Sequence, residues 1–126
     1  MSPTTLADVA KFAADGDSFE RTLANFLDEF YAAPSAAALE VEPILLAPVF
    51  GDLGSVRDAY LAATAEELAR AYRFRCPRWT ASESRKLHRP WFASQLASLR
   101  AVLLLESPPG FRSRNLFVSE NALSRA

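Results

Sequence analysis

The chain has 126 residues, a net charge of −1, half of its residues apolar and 23% charged. That length suits one domain with a real core, and the composition excludes a disordered or collagen-like chain. One cysteine excludes an internal disulfide and a multi-cysteine zinc site, and one histidine leaves no histidine pair, so neither a metal nor a cofactor is expected.

In chain order, Leu6, Val9, Ala10 and Ala13 recur at helical spacing over residues 4–14, with Gly16 as the stop. Asp17 then reads as a helix cap, with Glu20 three residues on as its capping-box partner. The helix that follows carries the clearest stripe in the chain: Phe19, Leu23, Phe26, Leu27, Phe30 and Tyr31, ended by Pro34. Such a stripe serves equally as core or as the seam of a homodimer. Residues 35–40 predict a short helix. Residues 43–53 are apolar but broken by Pro43, Pro48 and Gly51; they predict a buried irregular segment or helical turn packed by Ile44, Leu45, Val49 and Phe50. A long helix is expected from Ser55, capped by Ser55 with Asp58 as partner, its stripe running through Val56, Tyr60, Ala63, Leu68, Ala71 and Tyr72. Thr64 in its middle leaves two shorter helices open. Residues 73–89 lack helical periodicity and predict a long loop. A helix then spans the 96–105 region with Leu96, Leu99 and Leu103 as its stripe. It is apolar all round over residues 101–105, which predicts a central, buried helix. Pro108 and Pro109 end it and start a last turn. Residues 116–118 suit a short extended piece, and Ser119 caps a final turn. The expected fold is all-α, one domain over 1–126, with five or six helices and a long basic loop.

The near-zero net charge hides a split. Residues 1–69 hold 3 Lys/Arg against 12 Asp/Glu, and residues 70–126 hold 11 against 3. Either the halves face each other and cancel, or one of them meets a charged partner. The cations concentrate in Arg73, Arg75, Arg78, Arg85, Lys86 and Arg89, interleaved with or flanked by Phe74, Trp79, Trp91 and Phe92; Arg112 and Arg114 add a second small patch. Arginine with tryptophan makes frequent protein-binding hot spots. Guanidinium groups with aromatic rings also suit phosphates and exposed bases. A third reading has the tryptophans anchoring the loop while the arginines face water or the acidic half. Partner-binding candidates are therefore Arg73, Arg75, Arg78, Trp79, Arg85, Lys86, Arg89, Trp91, Arg112 and Arg114.

Catalytic chemistry has less to draw on. Cys76 lies among Arg73, Arg75 and Arg78, which favour a thiolate, but an incidental packed thiol fits as well. His88 beside Lys86 and Arg89 is biased towards neutral imidazole, with no carboxylate near it in sequence. Carboxylate neighbours Asp28/Glu29 and Glu66/Glu67 diverge on a helix, and the four glycines are too scattered for a phosphate loop. No catalytic residue is assigned, and a non-enzymatic protein is expected. Residues 1–16 lack a basic start and are interrupted by Asp8, Lys11 and Asp15, so no signal peptide is expected. Residues 43–51 are far shorter than the ~20 needed to cross a bilayer. These features predict a cytoplasmic protein without membrane contact, in keeping with its lone cysteine.

The run from Arg89-Pro90-Trp91-Phe92-Ala93-Ser94 through Glu106-Ser107-Pro108-Pro109 to Phe111-Arg112, Arg114-Asn115-Leu116-Phe117-Val118-Ser119 and Asn121-Ala122-Leu123-Ser124-Arg125 resembles a small uncharacterised bacterial family of helical proteins. Members of that family are encoded beside nucleotidyltransferase-like toxin components. The resemblance covers residues 89–125 and, loosely, the Phe19 helix, and it transfers no site residue. It implies an antitoxin or accessory role in a toxin–antitoxin system. Together with the charge split and the Arg/Trp loop, the expectation is a protein-binding component. Nucleic-acid binding by residues 73–92 is the alternative.

Overall fold

The stripe of residues 19–31 folds as its spacing requires. In the computed structural model, which describes residues 2–94 and 96–125, helix α2 runs Phe19–Ala32 and buries Phe19, Leu23, Phe26, Leu27 and Phe30. The stripe is core within the chain, not a dimer seam. The helix before it, α1 (Leu6–Ala14), buries Leu6, Val9, Ala10 and Ala13. A capping box starts α1: the Thr5 hydroxyl accepts from the Asp8 amide at 3.0 Å and the Asp8 carboxylate accepts from the Thr5 amide at 3.2 Å. For α2 the cap is Ser18 rather than Asp17, its hydroxyl accepting from the Arg21 amide at 3.2 Å.

Short helices α3 (Ala37–Glu40) and α4 (Ala47–Phe50) lead to α5 (Asp52–Ala71), one continuous helix of 20 residues. It starts three residues before Ser55, on Gly51 at φ +65°, a left-handed turn that suits glycine. Gly54 is buried against α4, and a Cβ there would collide with the Leu46 carbonyl. Thr64 does not divide the helix, because its hydroxyl donates to the Tyr60 carbonyl at 2.8 Å. In the 43–53 region Phe50 packs against the core as expected, but most of the other packing differs. Ile44, Leu45, Val49 and Leu53 are exposed, and Leu46 is the residue inside.

Helix α5 is the centre of the fold. One face, through Leu61, Ala62, Ala65, Leu68 and Ala69, joins the core with α1 and α2. Another, through Ala59 and Ala63, packs with Phe111, Leu116 and Val118 in a second, smaller core. Tyr60 stands edge-on to Phe19 at 6.2 Å and to Phe111 at 4.9 Å, linking the two. After α5 the basic segment forms two 3-10 turns, Arg78–Ala81 and Glu83–Arg85. Two-residue strands β1 (Trp91–Phe92) and β2 (Leu116–Phe117) then pair in parallel, Trp91 with Leu116 and Phe92 with Phe117. Between them lie α6 (Ala97–Glu106) and α7 (Pro109–Arg112). The all-α expectation holds, with this bridge as its small addition. Residues 119–125 form the expected turn, with the Ser119 hydroxyl accepting from the Asn121 amide at 3.2 Å.

Helix α6 is not central. Leu103 is buried, but Leu96, Leu99, Val102, Leu104 and Leu105 are 44% to 84% exposed. The helix is held at its C-terminal end. The Ser107 hydroxyl donates to a carbonyl, with those of Leu103 and Val118 at 2.6 and 3.0 Å, and accepts from the Val118 amide at 2.8 Å. At the other end the Arg100 guanidinium lies 5.1 Å over the Phe92 ring, itself stacked on Phe117. Periodicity identified a helix that is apolar on every side, but the central place was already taken by α5.

Candidate functional site

Three of the ten partner-binding candidates face inward. The indole N–H of Trp79 donates to the Leu39 carbonyl at 3.0 Å. Arg85 is fully buried, with its guanidinium 4.9 Å over the Trp79 ring. Its Nη2 donates to the Pro43 carbonyl at 2.5 Å and to Glu42 at 3.2 Å, and its Nη1 lies 3.8 Å from the Asp58 carboxylate. Asp58, also fully buried, accepts from the amides of Leu46 and Ala47 at 2.6 and 3.1 Å. Burial pushes its carboxyl upward, against the pull of those two amides and Arg85. Asp58 is therefore no helix cap; it ties α4 and the loop to the middle of the molecule. Arg114 does the same on the other side, donating to Glu66 at 2.7 Å, to the Gly110 carbonyl at 2.6 Å and to the Thr80 carbonyl at 2.8 Å. A buried guanidinium that spends its donors inside cannot contact a partner, so Trp79, Arg85 and Arg114 leave the candidate set.

The charge split is in part internal. Arg85 with Glu42 and Asp58, Arg114 with Glu66, and Arg125 with Asp28 at 2.9 Å all join the basic half to the acidic half. Of the remaining candidates, Lys86 is exposed and lies 3.4 Å from Glu83. Arg112 is exposed and donates to the Ser107 carbonyl at 2.9 Å. Trp91 is half-buried in β1. Arg73, Arg75, Arg78 and Arg89 are exposed and have no ion pair among the described residues. They fall at the end of α5 and along the 3-10 segment, not on one helix face.

Cys76 is exposed, with its sulfur 3.3 Å from the Thr80 hydroxyl. His88 is exposed on the wall of a groove of about 700 Å³ that also includes Asp52, Ser55, Lys86 and Arg89. Among the described residues no hydrogen bond orients its imidazole, and no cluster of three His, Cys, Asp or Glu residues could hold a metal. Nor is any described helix long and apolar enough to cross a membrane.

The surface that stands apart is α6. Leu99, Val102 and Leu105 follow one another at i, i+3 spacing, Leu104 is exposed next to Leu105, and Leu96, also exposed, precedes the helix. Covering the exposed half of one such side chain is worth about 1 kcal/mol. The face therefore favours association by several times that amount before the cost of docking is set against it. The sequence signal for this surface is the helix that is apolar on every side, a pattern that a buried helix shares. No family model, curated protein or solved structure matches the chain.

Proposed function

We propose that the protein is a non-enzymatic protein-binding component that meets its partner through the outward face of α6. The observation that carries this reading is the exposure of Leu99, Val102, Leu104 and Leu105 on a ten-residue helix, because monomers rarely leave a contiguous apolar face of this kind open to water. Where that partner is a toxin, the protein acts as its antitoxin or accessory, the role that the terminal residues imply. The test is the pair Leu99→Asp and Leu105→Asp. Both should keep the far-ultraviolet circular dichroism and thermal midpoint of the parent, and both should lose a stoichiometric protein that the parent retains after nuclease treatment. Retention of that protein by both variants would overturn the reading.

Exposed Arg73, Arg75, Arg78 and Arg89 support a second reading, binding of nucleic acid along the 3-10 segment. Affinity would then fall steeply with salt, and Arg75→Glu with Arg78→Glu would flatten that slope by about one unit per phosphate contact removed. A slope untouched by both changes would eliminate this segment as the contact.

A further inference from the structure

A second feature lies away from α6. Between α2, α5, β1 and the C-terminal turns runs a groove of about 430 Å³, within the range of small-molecule sites, about 300–1,000 Å³. Its walls are carbon for most of their length, from Phe19, Leu23, Leu27, Val56 and Trp91. Its charged groups are few. Arg125 is paired with Asp28, and Glu20 is 77% exposed. The third is Arg57, whose guanidinium carbon lies over the Phe19 and Phe50 rings, 5.2 Å from each centroid.

Arg57 has donors to spare. Its Nε is buried without a hydrogen-bond partner, and its Nη2 comes no closer than 3.9 Å to the Glu20 carboxylate, beyond hydrogen-bond distance. The two rings and the mostly buried stem hold the guanidinium in place. A fork held in this way is preorganised for a carboxylate, which it can grip with two parallel charge-assisted hydrogen bonds. The Tyr60 phenol lines the same groove, and burial, reinforced by Glu20, pushes its pKa up to about 12. At neutral pH it is a proton donor, not a second anion.

We propose that this groove binds a free medium-chain aliphatic carboxylic acid, with its alkyl chain along the Phe19, Leu23, Leu27, Val56 and Trp91 wall and its carboxylate on Arg57. The match is one of chemistry at both ends: apolar walls for the chain and one underused cation for the head. A peptide would bring amide and carbonyl groups that such walls leave unpaired, and a neutral alkane would leave Arg57 as it is.

Decanoate is the probe, with decanol as the same chain without charge. Binding is read by titration calorimetry and by the emission of Trp91. The wild-type protein should take one equivalent of decanoate, and decanol should bind at least tenfold more weakly. Arg57→Gln should lose at least tenfold for decanoate and nothing for decanol. Because Arg57 also packs over two rings, the exposed Glu20→Gln provides an independent arm: removing the competing carboxylate should tighten decanoate severalfold. Ala24→Phe, which fills the groove from α2, should abolish both ligands, whereas Leu105→Glu on α6 should change neither. Absence of saturable decanoate binding, equal affinity for acid and alcohol, or loss on Leu105→Glu would overturn the assignment. So would a dimer that Ala24→Phe dissociates in a protein indifferent to decanoate, since the groove's occupant would then be a second copy.

Discussion

Helices α5 and α6 invert what their compositions suggest. Helix α5 contains Asp52, Arg57, Asp58, Glu66, Glu67 and Arg70, yet it is the helix around which everything else packs. Helix α6 is nearly continuous leucine, valine and alanine through its second half, yet it lies on the outside. The difference lies in side-chain size and in where polar groups find partners. The buried positions of α5 are rich in alanine, which lets α4, α7 and β2 approach its backbone closely. Its buried polar groups are met from elsewhere in the chain: Asp58 by the Leu46 and Ala47 amides and Arg85, and Glu67 by the Gly110 amide at 2.8 Å. Hydrophobicity says that a helix would gain from burial, whereas size and polar matching decide which helix the core admits.

The comparison breaks most visibly at Asp58. Asp58→Ala leaves the fully buried Arg85 without its inner carboxylate and two amides without an acceptor, and should cost about 3–5 kcal/mol by urea unfolding. A cost near zero would mean that α5 is central by packing alone. Next comes its alanine face. Ala62→Leu adds volume where the helix touches α1 and α2, and overpacking of this kind should cost about 1–3 kcal/mol. Helix α6 should behave as two different surfaces one residue apart. Leu103→Ala removes a buried side chain, and its cost should approach the lower end of the ~2–5 kcal/mol range for such truncations. Leu104→Ala and Leu105→Ala should each stay within about 0.5 kcal/mol of the parent. Equal losses at all three positions would place α6 inside a larger assembly under the conditions of the measurement.

Much of this architecture could be read from residue order. The Phe19–Tyr31 stripe, the short helix after Pro34, the long segment without regular helices after α5 and the extended piece at residues 116–117 follow from spacing and turn chemistry. The centre of the fold was harder to see, because two stripes compete on α5. The one through Val56, Tyr60 and Ala63 is more aromatic. It packs on the second core, whereas the one through Leu61, Ala62, Ala65, Leu68 and Ala69 lies in the main core, and Asp58 lies on it at i−3 from Leu61 and i−4 from Ala62. A carboxylate at helical spacing on an alanine–leucine stripe requires a buried partner, and that was the available clue to Arg85. The inward turn of Arg114 had no comparable clue, since its contacts with Glu66 and Thr80 depend on how α7 meets α5. Surface arginines and buried ones are the same letter, and the bridge between β1 and β2 joins segments too short to show any period.

The ion pairs that join the two halves also set an order of events. Glu66 waits for Arg114 and Asp28 waits for Arg125, 48 and 97 positions further along the chain. As the chain leaves the ribosome, α1, α2 and α5 emerge with a large excess of negative charge and with one side of α5 still bare, since Phe111, Leu116 and Val118 are not yet made. The first half can collapse through its phenylalanines, but closure of the second core waits until Phe111, Leu116 and Val118 have been made. Long-range closure of this kind is slow compared with local helix formation, which makes the segment from Phe111 to Val118 the latch of the second core.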